Sequence, residues 1–201
     1  MSRDPTGLHH RRSVRLPTYD YAGPGLYFVT VCIHDRAALF GAVTDEEMRL
    51  NGLGRIADEE WRRTPSIRAE VVLDGHIVMP NHVHLLFGIV GVDRAGPANP
   101  PTPDAFPVGA TRCVALPGAA DDAPGRPAGP VPGSVGAIVG QYKSAASRRI
   151  NEARGTPGTA VWQRGYHERV VRDEDEAYLI RRYVAENPLR WHLDRYHVGG
   201  R

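Results

Sequence analysis

An α+β fold built on an antiparallel sheet is predicted for this chain of 201 residues, on three observations. Runs rich in β-branched and aromatic residues alternate with segments of helical period. Two of those runs, Ala69 to Met79 and His82 to Ile89, are separated only by Pro80-Asn81, a connection so short that it joins antiparallel neighbours. Residues 91–134 then form a block in which 26 of 44 positions are Pro, Gly or Ala, too poor in apolar side chains to offset its ordering entropy.

Taken in order, Gly23-Pro24-Gly25 leads into Leu26 to Ile33 (LYFVTVCI), which reads as the first strand. Asp45 to Arg63 is predicted as a helix, with Thr44 as N-cap, Glu47 completing a capping box and acids in the first turn. The hairpin of residues 69–89 follows. Beyond the Pro/Gly/Ala block, Val135, Ile138, Val139, Tyr142, Ala145 and Ala146 recur at helical spacing within Ser134 to Ala153. Val161 to Val171 reads as the last strand. Asp173 to Asn187 is a helix with an acidic first turn, Arg181 and Arg182 late, and Pro188 as a stop. The order βαββ, insertion, αβα is the ferredoxin-like βαββαβ pattern with an additional C-terminal helix.

The domain organisation expected is a basic arm over residues 1–24 and one catalytic-type domain over 25–201, interrupted by a disordered insertion at 91–134. The 25 Lys+Arg and 23 Asp+Glu leave a net +2, which by itself neither requires nor excludes a polyanionic partner. Its distribution is more informative: residues 1–24 carry +2 and residues 135–201 carry +4, while the segments between them are acidic. Two cysteines, Cys32 and Cys113, are too few for a disulfide framework or a thiolate zinc site and suit a reducing cytoplasm. No apolar run approaches the length of a membrane span, so a soluble cytoplasmic protein with no membrane partner is expected.

Chemistry concentrates in two places. On a strand, His82 and His84 share a face while Val83, Leu85 and Phe87 take the other, and two imidazoles side by side can hold a divalent metal. Two half-exposed histidines beside a turn would produce the same pattern. On the last helix Ile180, Tyr183, Val184 and Asn187 fall on one stripe. Read alone, Tyr183 is a core residue and Asn187 a helix terminator.

Together with their surroundings these pieces resemble a known family. Met79 to Leu86 (MPNHVHLL), Arg15 to Tyr21 (RLPTYDY) running into Gly25 to Thr30, Phe40-Gly41, Gln141 to Ser144 (QYKS), Val161 to Tyr166 (VWQRGY) and Tyr183 to Pro188 (YVAENP) are similar to the motifs of REP-associated tyrosine transposases. These are single-tyrosine members of the His-hydrophobic-His superfamily, related to transposases of small insertion sequences. The resemblance spans the chain apart from residues 91–134. It implies that His82 and His84 bind metal, that Tyr183 is the nucleophile, and that Asn187 completes the metal site where insertion-sequence relatives usually have glutamine. It also implies Mg²⁺ or Mn²⁺ as cofactor and single-stranded or hairpin DNA, of the repetitive extragenic palindrome type, as partner. A monomer and a homodimer are both compatible with it.

The implied activity is nicking and rejoining of single-stranded DNA through a 5′-phosphotyrosine, which needs no nucleotide cofactor, and no P-loop is present. Two imidazoles and an amide oxygen suit Mn²⁺, tolerate Mg²⁺, and would bind Zn²⁺ more tightly by the usual affinity order. A phenol with a pKa near 10 is ionised in only about one molecule in a thousand at neutral pH, and the sequence identifies no separate base. Single strands are held by guanidinium contacts to phosphate and by bases stacked on aromatic rings. Arg11, Arg12 and Arg15, then Lys143, Arg148 and Arg149, then Trp162, Gln163 and Arg164 are the candidates for that role, with a solvated helix face and a packed tryptophan as the alternatives for the last two groups. Two rival readings stand beside the enzyme: a catalytically silent nucleic-acid-binding protein on the same fold, and a metal hydrolase that uses water and leaves Tyr183 in the core.

Overall fold

The computed structural model describes residues 21–91, 129–194 and 196–197. The basic arm up to residue 20, with Arg11, Arg12 and Arg15, and the insertion from 92 to 128 lie outside the described residues.

Four strands form one antiparallel sheet: β1 (Gly25–Cys32), β4 (Val71–Val78), β5 (His82–Ile89) and β6 (His167–Val171). Their order across the sheet is β4-β5-β1-β6, so the first and third of them are central, as in the ferredoxin-like arrangement read from the sequence. The register sets Thr30 opposite His84, and on the other side opposite His167. Facing partners on neighbouring strands share a sheet face, and this one residue therefore fixes what surrounds His84.

One face carries Tyr27, Val29 and Val31 of β1 and Val83, Leu85 and Phe87 of β5, all fully buried. Against it pack α1 (Gly52–Arg62) and α3 (Val135–Arg154), through Trp61, Ile138, Tyr142 and Ile150. Burial of each such large apolar side chain is worth about 1.5–3 kcal/mol. The opposite face holds Leu26, Leu86 and Val171 under Ala177, Ile180 and Val184 of α4 (Glu174–Glu186). His82 and His84 belong to this second face, and it is α4 that determines what they meet.

Two expectations change. The helix predicted from Asp45 begins only at Gly52. Before it stands a hairpin of β2 (Gly41–Thr44) and β3 (Glu47–Leu50), whose turn residues Asp45 and Glu46 both have left-handed backbones, with φ of 52° and 62°, the signature of a type I′ turn. Thr44 is thus a strand end and not a cap. The N-cap is Asn51, whose Oδ1 accepts from the amides of Leu53 and Gly54 at 2.9 Å. Gly54 is there because a Cβ would sit 2.3 Å from the Phe40 carbonyl oxygen. A short helix, α2 (Thr64–Ile67), follows α1.

The last strand is also shorter than predicted. Only His167–Val171 is regular. Trp162 makes an isolated bridge with Ile33, and the chain then turns at Gly165 with φ of 80°. The C-terminal helix is as expected, with Asp173 as N-cap accepting from the Glu176 amide at 2.7 Å. After Pro188 the chain folds back across the histidine face through a short 3₁₀ turn, Trp191–Leu193. Among the described residues no helix is long and apolar enough to cross a membrane.

Candidate metal and nucleophile site

His82 and His84 are 0% and 1% exposed, and their Nε2 atoms approach to 2.9 Å. Both outer nitrogens are engaged: His82 Nδ1 lies 2.9 Å from Asn81 Oδ1, and His84 Nδ1 lies 2.9 Å from Thr30 Oγ1. The amide oxygen of Asn81 only accepts, so His82 carries its proton on Nδ1 and presents a lone pair at Nε2. Two ring nitrogens this close need a shared proton or a cation to offset their repulsion. An outer-nitrogen partner that orients the ring is also the usual support of a metal-binding histidine.

Oxygen donors come from the C-terminal end of the chain. Asp194 forms a cluster with the two histidines in which the potential ligand atoms all lie within 4.8 Å of one another. Its Oδ1 accepts the Tyr196 amide at 2.7 Å, and its Oδ2 accepts Asn187 Nδ2 at 3.2 Å. Asn187 is 3% exposed, and its own Oδ1 is buried with no hydrogen-bond partner among the described residues. Leaving such an atom unsatisfied costs about 1–3 kcal/mol. Two imidazole nitrogens with a carboxylate form a mixed N/O set suited to a divalent first-row cation, and this His-His-Asp cluster could hold one; the Asn187 atom turned toward it is Nδ2, through Asp194.

Tyr183 stands at the mouth of this cluster. Its hydroxyl is 3.2 Å from His84 Nε2 and 3.5 Å from Asp194 Oδ2. Unlike the buried neighbours of its stripe, it is 39% exposed, so the expectation that it faces the buried side together with Asn187 holds only for Asn187. Phe28 fixes the pair from below, its ring stacked at 5.3 Å on His84 and edge-on at 6.1 Å to Tyr183. The sequence reading missed Asp194. No motif marks it, and it reaches the histidines only because residues 188–194 fold back, with Tyr196 over His82 at 4.7 Å and Asn81 Nδ2 donating to the Tyr196 carbonyl at 2.6 Å.

The candidate DNA contacts divide. Trp162 is 7% exposed, packs against Phe40 and Tyr142, and donates from Nε1 to the Lys143 carbonyl. It is core and offers no face for base stacking. Lys143 donates to the carbonyls of Gln163 and Gly165 at 2.8 and 2.9 Å, and burial pushes its ammonium below the ordinary lysine range against a weaker opposing pull from Cys32. It acts as a strut under the 163–165 turn. Arg149 is joined to Glu59 and Glu60 of α1, which raise its pKa through hydrogen bonds. Gln163 is half-buried, and Arg148 and Arg164 are exposed.

Fold and site together define an α+β protein in which a histidine pair, a carboxylate and an amide are gathered beside a partly exposed phenol. Over 195 residues the chain is 31% identical to an uncharacterized protein of Haemophilus influenzae, covering 96% of both, and it belongs to one family with that protein. No family model matches it. Among solved structures it is similar to a REP-associated tyrosine transposase bound to a REP hairpin, at 14% identity over 85% of this chain and 70% of that one, with a TM-score of 0.45. It is also similar to a candidate transposase from Deinococcus radiodurans R1, at 18% identity over 81% of this chain and 90% of that one, with a TM-score of 0.37.

Proposed function

We propose that this chain is a transposase of the REP-associated tyrosine type, which nicks and rejoins single-stranded DNA at hairpin-forming repeats through a 5′-phosphotyrosine on Tyr183. The observation that carries the reading is the Tyr183 hydroxyl at 3.2 Å from a histidine nitrogen that itself lies 2.9 Å from its partner. A phenol aimed at a metal-type cluster, at the rim of an otherwise buried site, is what nucleophilic attack on a phosphodiester needs. A water-using hydrolase would have no use for that placement.

In the reaction the Tyr183 oxygen bonds to phosphorus, the bond to the 3′ oxygen breaks, the phenolic proton is lost, and the leaving oxygen takes up a proton to become a 3′ hydroxyl. The number of phosphodiester bonds is unchanged, so attack by a second 3′ hydroxyl reverses the step and joins new ends without a nucleotide cofactor. The Tyr183 hydroxyl donates to Asp194 Oδ2 at 3.5 Å, which makes that carboxylate the acceptor for the phenolic proton when His84 Nε2 is taken up by the metal. His82, His84 and Asp194 would hold Mg²⁺ or Mn²⁺, with Asn187 joined to the set through its Nδ2 bond to Asp194. Bound there, such an ion supplies Lewis-acid polarisation of the phosphate and stabilises the leaving oxygen. Arg148 and Arg164 are retained as phosphate contacts, and the arm carrying Arg11, Arg12 and Arg15 is assigned to the hairpin.

Incubation of the full chain with a labelled hairpin oligodeoxynucleotide and Mn²⁺ tests this. A covalent adduct on denaturing gels is expected for the parent protein and none for Tyr183→Phe. No adduct from the parent, or an equal adduct from Tyr183→Phe, overturns the reading, and tight metal-independent binding without cleavage would instead favour the silent DNA-binding alternative.

A further inference from the structure

Beside Tyr183, between β6 and α4, lies a cleft of about 430 Å³. Its floor is the sheet face: Phe28 of β1, with Arg169 opposite it in register on β6, and His167 opposite Thr30. Its other wall is α4, through Leu179 and Ile180, and its inner end is Tyr183 with His84. Because β6 is the edge strand, the cleft opens to solvent along that edge. Leu179 is 59% exposed, although it stands one turn from the nucleophile.

From this cleft we infer a pocket for one unpaired nucleobase next to the scissile phosphate. The inference rests on the single-strand nicking reading and deepens it by naming what selects an unpaired strand. The volume is near the lower end of small-molecule sites, which admits one nucleotide and not a base pair. Phe28, Leu179 and Ile180 offer apolar surface to the faces of a base. Two carboxylates, Glu168 and Glu176, also line the cleft, which disfavours a phosphate inside it and favours a neutral base with its phosphates left at the rim. Arg169 is placed for those phosphates. Its side chain is 66% exposed, while that of its ion-pair partner Glu176 is 13% exposed, so the guanidinium reaches solvent at the rim while it stays joined to the wall of the cleft. A paired base cannot enter, because its Watson–Crick edge is occupied and its faces are stacked on neighbours.

Fluorescence anisotropy of the full chain in EDTA, without cleavage, tests the pocket with three probes: dT₁₂, an abasic 12-mer of equal charge, and a dT₁₂·dA₁₂ duplex. From the usual strength of base stacking on an aromatic side chain, dT₁₂ is expected to bind at least about fivefold more tightly than the abasic strand, with the duplex no tighter than the abasic strand. Leu179→Gln and Phe28→Leu should each bring the dT₁₂ preference to within two- or threefold of unity, with unchanged far-ultraviolet circular dichroism. Equal binding of dT₁₂ and the abasic strand by the parent overturns the pocket. So does a preference that survives both substitutions. Covalent adduct formation at Tyr183 with a flat probe comparison would sink the pocket and leave the nicking reading intact. Absence of any adduct with a full base preference would do the reverse.

Discussion

Asn81 does two things with one amide. Its oxygen receives His82 Nδ1, and its nitrogen donates to the carbonyls of Tyr196 and, at 3.3 Å, Arg36. It therefore sets the tautomer of one histidine and anchors the segment that carries Asp194. Thr30 provides the matching support under His84. Loss of such a supporting partner typically weakens metal affinity by about 10–100-fold. Asn81→Ala and Thr30→Val are accordingly expected to weaken Mn²⁺ binding by that order in calorimetric titration without DNA. Thr30→Val, which changes shape little, separates ring orientation from packing. Affinities unchanged in both variants would mean that the histidines need no orienting partner.

At the scale of elements, the predicted helix at Asp45 shows how a capping signal can mislead. Thr44, Asp45, Glu46 and Glu47 have the composition of a helix start, yet Asp45 and Glu46 form a two-residue hairpin turn, because Glu47 to Leu50 close a ladder with Gly41 to Thr44. Asn51 then caps α1 with two amide bonds and also donates from Nδ2 to the Leu39 carbonyl at 2.9 Å. Replacing such a cap with alanine costs about 1 kcal/mol. Asn51→Ala should lower the melting temperature by about 2–4 °C for a chain of this size, as calorimetry would register, without changing adduct formation. A fall in activity disproportionate to the melting shift would place Asn51 in the path to the site.

For the whole molecule, the position of α4 on the sheet decides whether there is a site at all. Ile180 and Val184 seat it on Leu26 and Leu86, and Arg181 pins it to β4 through Asp74, with contacts from Nε at 2.9 Å and Nη2 at 2.8 Å, and to Glu174 on its own first turn. The Asp74 side chain is only 8% exposed. Its hydrogen bonds to Asp74, then to Glu174, hold the Arg181 guanidinium above even the ordinary arginine range despite the opposing effect of burial. Arg181→Leu strands the Asp74 carboxylate and is expected to destabilise the fold by about 3 kcal/mol in urea titrations, with part of that recovered by adding Asp74→Asn. If the double variant is no more stable than the single, the loss lies in packing and not in the orphaned charge.

By itself the sequence determined what depends on near neighbours in the chain. Strand alternation put His82 and His84 on one face, helical spacing put Ile180, Tyr183, Val184 and Asn187 on one stripe, of which Tyr183 is 39% exposed and the other three are buried, and the Pro80-Asn81 break set the hairpin. The order of the elements gave the ferredoxin-like pattern, and the family resemblance rested on six separated motifs. Only the tertiary structure decided what depends on residues far apart in sequence. The Tyr183–His84 contact spans 99 positions and the Asn81–Tyr196 bond 115, and no local period encodes either. The same distance explains why Asp194 was invisible, and why Lys143 and Trp162, which look like a cation and a stacking ring for DNA, are committed to the 163–165 turn and the core. Periodicity tells which side of an element a residue occupies. What it meets there is settled by the packing of elements that the chain brings together from its two ends.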